Sequence, residues 1–157
     1  MTPTVRRAGE CDAPGILACL RAAFEPYRER YTTGAFVDTV LTPETLAARL
    51  ETMSVFVAVD GIGAVIGTVA AAVVDGDEGH LRGMAVLPEW HGRGVARALL
   101  AAALDELHAR GCRRVSLDTT EPLRRAVRFY EAHGFRPTGR VSDFFGMPLY
   151  EYARALG

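Results

Sequence analysis

Three places in this 157-residue chain carry residues whose types and spacing could do chemistry. The first is Glu78-Gly79-His80. A histidine, with an ordinary pKa of about 6.5, suits a general base at neutral pH, and Glu78 is a second candidate two residues earlier. The second place is His91-Gly92-Arg93-Gly94-Val95-Ala96. Gly92 and Gly94 let the backbone take tight or left-handed conformations and let a ligand come close. Where a helix follows such a turn, its first free N–H groups point into the turn with the positive end of the dipole behind them. That arrangement binds phosphate. Arg93 and Arg97 could neutralise it. The third place is Phe129-Tyr130, four residues ahead of Gly134-Phe135; Tyr130 brings a phenol that can give a proton.

The elements that must position these groups follow from the apolar pattern. His80 to Val86 reads as a strand, stopped by Pro88 two residues later. His80, Arg82, Met84 and Val86 share one face of it if the alternation is unbroken, but Gly83 marks a bulge. Val95, Leu99, Ala102 and Ala103 recur at helical spacing, and that helix runs to about Arg110 with Gly111 as its stop. Glu121-Pro122 opens a further helix carrying Leu123, Ala126, Val127 and Tyr130, ending at His133-Gly134.

Ahead of these, Thr4 to Arg7 reads as a short strand, and Asp12 as the cap of a helix from Ala13 to Phe24. Glu25 to Val40 has no clear period: a broken helix under a loop, or a cover over an acceptor site. Thr42-Pro43 starts a helix with Leu46, Leu50 and Met53 on its buried face. Val55 to Val59 and Ala64 to Val74 pair through the Asp60-Gly61 turn. Asp75-Gly76-Asp77 turns the chain into the His80 strand. Arg113 to Leu117, Phe135 onward and Met147 to Tyr152 complete the strands. Hairpins first, then strands alternating with helices, predict a mixed α/β sheet in one domain over residues 1–157.

Composition excludes several classes. The net charge is −1, so there is no general basic field for nucleic acid or an anionic membrane. Every basic residue apart from histidine is arginine, so no lysine side chain is available for modification. Cys11, Cys19 and Cys112 are odd in number and lack ligand spacing, so neither a metal site nor a disulfide framework is expected. No leader and no long apolar run is evident, which predicts a cytoplasmic protein. A monomer or homodimer is expected.

Met-Ala-Val-Leu-Pro followed by Gly-Arg-Gly-Val-Ala-Arg-Ala-Leu-Leu resembles the acyl-CoA-binding loop of the GCN5-related N-acetyltransferases. Gly94 and Ala96 match the last two fixed positions of that pattern, while His91 stands where Gln or Arg is usual. Ala126 to Phe135, with its alanine, Phe-Tyr and Gly-Phe, is also similar to that family. The resemblance covers Val55 to Phe135. It implies a mostly antiparallel central sheet flanked by helices, with a splayed parallel strand pair holding acetyl-CoA. It further implies transfer of an acetyl group to a primary amine of a small molecule or peptide by direct attack in a ternary complex.

Roles follow from the resemblance. Met84, Ala85 and Val86 would pair with pantetheine, with the N–H of Ala85 or Val86 facing the thioester oxygen. The amides across Arg93 to Ala96 would hold pyrophosphate, within a cofactor-binding loop from His91 and Gly92 to Arg97. Tyr130, a phenol with a pKa of about 10, would protonate a leaving thiolate of pKa about 8.5, and Phe129 would pack beside the cofactor. His80 occupies a position where many members carry a glutamate base. The family often has Asn where this chain has Leu123, and Thr119 or a backbone group would take over its hydrogen bond. Tyr27, Tyr31, Phe36, Phe144 and Phe145 could line an aromatic acceptor entrance, and Arg28 and Arg30 could hold a carboxylate. The rival readings are a non-catalytic acyl-CoA-binding module and a nucleotide-binding α/β protein.

Overall fold

The computed structural model describes residues 3–157; the first two residues of the expected 1–157 domain lie outside it. Seven strands form one sheet in the order β1-β2-β3-β4-β5-β7-β6. They are β1 (Thr4–Arg7), β2 (Ser54–Val59), β3 (Val65–Asp75), β4 (Glu78–Val86), β5 (Arg114–Thr119), β6 (Arg136–Phe144) and β7 (Met147–Ala155). The helices are α1 (Ala13–Phe24), α2 (Thr33–Val40), α3 (Pro43–Thr52), α4 (Val95–Ala109) and α5 (Arg124–Ala132). Every neighbouring pair is antiparallel except β4 and β5. Parallel neighbours need a crossover, and α4 supplies it. This is the mixed sheet that the pattern predicts, with the mostly antiparallel order and one parallel pair that the resemblance implies.

The sheet buries both faces. On one side Ile16, Leu20, Phe36 and Leu46 of α1 to α3 pack with Val57 and Ala70. On the other, Val95, Leu99, Ala103 and Leu107 of α4 pack with Val69, Leu81 and Val115. The four α4 residues are spaced by four, so one stripe of the helix faces the sheet. Leu99 has no exposed surface, and burying a leucine side chain contributes roughly 1.5–3 kcal/mol.

Several local expectations are corrected. Asp12 does not cap α1. Its carboxylate accepts two hydrogen bonds from Arg6, at 2.8 and 2.9 Å, and one from the Gly9 N–H. Glu121-Pro122 does not open α5, which begins at Arg124. The Leu123 N–H turns back to Thr120 O instead, and Leu123 has a non-helical ψ of 56°. The segment after α1, by contrast, is the broken helix that its lack of a clear period suggests. A 3-10 turn covers Glu25–Arg30, and α2 follows with Thr32 as its cap, accepting from the Ala35 N–H. Among the described residues, no helix is long and apolar enough to cross a membrane.

Gly83 breaks β4 as a bulge. Thr68 of β3 faces Ala85 while Ala70 faces Arg82, so Gly83 and Met84 together oppose Val69. Gly83 has a φ of +63°, a conformation glycine adopts at little cost. The extra residue inverts the alternation beyond it. Ala85 packs with the α1–α3 side, and Val86 joins Leu81 on the α4 side. The four-residue face from His80 to Val86 therefore ends at the bulge, and Val86 points the opposite way from Arg82.

Candidate functional site

The parallel ladder between β4 and β5 stops at Leu81 and Leu117, although both strands continue. Beyond that point they diverge, and a cleft of about 700 Å³ opens between them. Its walls come from both sides of the sheet. Phe24 and Tyr31 belong to the α1–α3 side, and Val95, Leu117 and Tyr130 to the α4–α5 side. The cleft thus passes through the sheet at the splay.

One end is made of backbone. Gly92 and Gly94 take φ values of +76° and +81°, and a Cβ on either would meet open space. Their role is conformational, and it brings the chain into α4 with exposed amides. The first α4 bond runs from the Ala98 N–H to Gly94 O. The N–H groups of Val95, Ala96 and Arg97 lie ahead of it and have no partner within the helix. His91 folds back, with Nε2 3.2 Å from Val86 O. Arg97 lines the cleft; Arg93 does not, and lies 4.8 Å from the centre of the Trp90 ring.

The strand beside this loop also presents backbone groups. The Leu87 N–H bonds Ile66 O at 2.9 Å. In an antiparallel ladder alternate residues face the partner, so Ala85 and Leu87 face β3 while the N–H and C=O of Val86 face the gap. Of the two amides considered from sequence, Val86 is the one directed into the cleft.

The other end is made of side chains. His80 and Ser116 are register partners on β4 and β5, and His80 Nδ1 lies 2.9 Å from Ser116 Oγ. His80 Nε2 lies 3.4 Å from Asp118 Oδ2. Ser116 and Asp118 alternate with the inward Leu117, so all three polar groups share one face. Glu78 stands apart from this cluster: it is held by the Arg114 guanidinium and does not line the cleft.

Tyr130 reaches the cleft from α5 with its ring against Phe129 and Phe135, at centroid distances of 5.6 and 5.8 Å. Burial alone pushes its phenol well above the usual tyrosine range, so it holds its proton at neutral pH. Thr119 Oγ1 is buried in the cleft wall without a hydrogen-bond partner. Leu123 lines the same wall half-buried.

Tyr27, Tyr31 and Phe144 all line the cleft on the α1–α3 side. Tyr31 is tied to the end of β5, its hydroxyl 2.6 Å from Thr120 Oγ1, and burial raises its pKa. Phe36 and Phe145 are not lining residues. Phe145 turns the β6–β7 hairpin at φ +51°, followed by Gly146 at +87°. Two positive values in a two-residue loop make a type I′ turn. Its carbonyl accepts from Thr32 Oγ1, and its ring lies on Gly34, where a Cβ would sit 2.6 Å from it. The hairpin is thereby fastened to α2.

Several lining residues were not singled out from sequence: Asp38, Arg49, Arg82, Asp118, Thr120 and His133. Asp118 has a trace in the strand pattern, being one step beyond Leu117. Arg49 has none, because it reads as an ordinary exposed helix position.

A model of the acetyltransferase (GNAT) family matches residues 16–135, and the chain belongs to that family. A mycothiol acetyltransferase of Beutenbergia cavernae is 39% identical over 89 residues, 57% of this chain and 30% of that protein. An aminoglycoside N(6')-acetyltransferase type 1 of Stenotrophomonas maltophilia is 42% identical over 71 residues, 45% of this chain and 46% of that protein. Each match spans less than half of the relative's own length. Among solved structures, the PaiA N-acetyltransferase of Thermoplasma acidophilum, in complex with coenzyme A, superposes with a TM-score of 0.81. It is 16% identical, and the match covers 99% of each chain. The ribosomal-protein-S18-alanine N-acetyltransferase of Escherichia coli gives 0.78 at 22% identity over 99% of this chain and 95% of that one. At these identities the likeness is one of fold.

Proposed function

We propose that residues 1–157 form one acetyl-CoA-dependent N-acetyltransferase domain acting on a primary amine by direct transfer in a ternary complex. The observation that carries this reading is the cleft through the sheet. Phosphate-binding backbone lies at one end, and a histidine–aspartate pair lies at the other. A binding module would need the first end only.

Acetyl-CoA, when bound, supplies an activated thioester. The amides of Gly92 to Arg97 and the Arg97 guanidinium hold its pyrophosphate, and Met84 to Val86 pair with the pantetheine arm. Thr119 Oγ1 supports this fit, since a buried hydroxyl without a partner costs about 1–3 kcal/mol until something pairs with it. The hydroxyl takes over the hydrogen bond that Leu123 cannot make, and Phe129 packs along the arm. The Val86 N–H is the donor to the thioester oxygen as charge develops there.

His80 is the general base. With its Nδ1–H donating to Ser116 Oγ, Nε2 carries the lone pair, and the adjacent Asp118 carboxylate attracts an incoming ammonium. Tyr130 is the donor at sulfur. Because burial raises its pKa, it stabilises the departing thiolate chiefly by hydrogen bonding. A covalent acetyl-cysteine route is disfavoured. No cysteine lines the cleft, and burial pushes the Cys19 thiol up to about 12.

Thermal-shift measurements with acetyl-CoA, CoA, NAD and ATP, followed by CoA release over an amine panel, test the reading. Stabilisation by both CoA species and turnover with an amine are expected. Stabilisation without turnover would leave an acyl-CoA-binding module, and a shift with NAD or ATP alone would leave a nucleotide-binding protein.

A further inference from the structure

The α1–α3 side of the cleft holds two arginines with no partner among the described residues. Arg49 of α3 and Arg82 of β4 both line it, and neither makes a hydrogen bond or ion pair with any described residue. The arginines that the sequence suggested as carboxylate ligands are committed elsewhere. Arg28 donates to Glu25 at 2.7 and 2.9 Å and lies over the Phe36 ring, and Arg30 is 3.9 Å from Glu121.

Arg49 is half-buried beside β4. Its Nη1 lies against the bulge, where a Cβ on Gly83 would come within 2.5 Å of it. Gly83 leaves that space open, and the guanidinium reaches the cleft wall beside the bulge. Burial and the neighbouring Arg82 charge lower the Arg49 pKa, with Asp38 opposing. Two guanidiniums facing one cleft repel each other until an anion lies between them.

Arg82 sits two residues from His80 on the same strand face before the bulge, a separation of about 7 Å. A carboxylate at the arginines therefore leaves an amine a short chain away, beside His80 and Asp118. Building on the acetyltransferase reading, we infer that the acceptor is a short zwitterionic amino acid, its carboxylate held by Arg49 and Arg82 and its ammonium directed to His80 and Asp118. An aminoglycoside, which carries several ammonium groups and no carboxylate, suits this end of the cleft poorly.

The test compares free amino acids, including β-alanine and γ-aminobutyrate, each against its own carboxamide, at saturating acetyl-CoA. The preferred acid should exceed its carboxamide by about 10–100-fold in kcat/KM, the worth of a charge-assisted arginine pair. Arg82→Gln should raise the KM of the acid by a similar factor and leave that of the carboxamide unchanged, bringing the ratio towards one. Arg82 is exposed, so this variant keeps the test valid even where Arg49→Gln, which removes the group packed on the bulge, fails to fold. A parallel thermal-shift arm uses CoA with N-acetyl amino acids or N-acetyl carboxamides, and the acids should stabilise more. Equal treatment of acid and carboxamide in both arms would overturn the inference, and so would an Arg82→Gln effect that falls on both alike. A lack of response to every acid, with acetyl-CoA still stabilising the protein, rejects the acceptor class alone. A lack of response to acetyl-CoA itself rejects the underlying function.

Discussion

The two ends of the cleft are built in different ways. The α4 end uses consecutive residues, from His91 to Arg97, and its useful groups are main-chain amides set by two left-handed glycines. The opposite end draws on α2, α3, β4 and β5, and its useful groups are the side chains of Asp38, Arg49, His80, Arg82 and Asp118. Under the proposed function, backbone at the α4 end recognises what every acyl donor of one type shares, since each residue can offer an N–H whatever its side chain. Side chains from separate elements can change one at a time, which suits the half of a reaction that must select its acceptor.

Substitutions at either end should separate these halves. The largest effect is expected from His80→Ala. Turnover should fall about 10²–10⁴-fold, the ordinary contribution of a general base, with acetyl-CoA affinity unchanged in titration calorimetry. The acid limb of the rate profile should flatten with it; an intact limb would remove His80 from the role of base.

Tyr130→Phe comes next. Losing one hydrogen bond to a charged sulfur should lower kcat about 10–100-fold. Single-turnover kinetics should show the loss in the chemical step, while the acetyl-CoA dissociation constant stays near that of the wild type. Gly94→Val should act on the other half. Forcing a β-branched residue into the left-handed region costs about 1–2 kcal/mol, so acetyl-CoA binding should weaken about tenfold. The acceptor KM at saturating acetyl-CoA should not move; a shift there would show that the two ends are coupled.

The smallest effect on activity is expected from Asp12→Asn, which lies outside the cleft. Arg6 holds the Asp12 carboxyl below the usual carboxylate range, mainly by hydrogen bonding. Its stabilising contribution is therefore present above the unfolded-state pKa of about 4 and is lost as pH falls through the lower folded value. Urea unfolding at neutral pH should show a deficit of about 1–2 kcal/mol for Asp12→Asn. The deficit should shrink in strong acid, with kinetics unchanged at pH 7; a deficit independent of pH would assign it to packing.

The same division between the two ends governs what was legible in the sequence. Strand and helix positions followed from hydrophobic period, and the glycine turn into α4 was readable because its signal lies in six adjacent residues. The exceptions are local groups recruited by distant ones. Asp12 had the form of a helix cap, but the Arg6 guanidinium across the first loop offers two charge-assisted bonds where a helix N–H offers one neutral donor. His80 was the first candidate for the base and Glu78 the second. Pairing β4 with β5 gave Glu78 to Arg114 and put His80 beside Asp118.

The sequence by itself determined the sheet-and-helix order, the glycine turn at Gly92 and Gly94, and the family, because these depend on periodicity and on contiguous motifs. Tertiary structure decided which faces met. A single extra residue at Gly83 inverted the alternation of β4, turned the Val86 amide to the gap and made room for Arg49 from a helix thirty residues earlier. Such contacts depend on strand register and on which helices cover which face, and no local pattern encodes them.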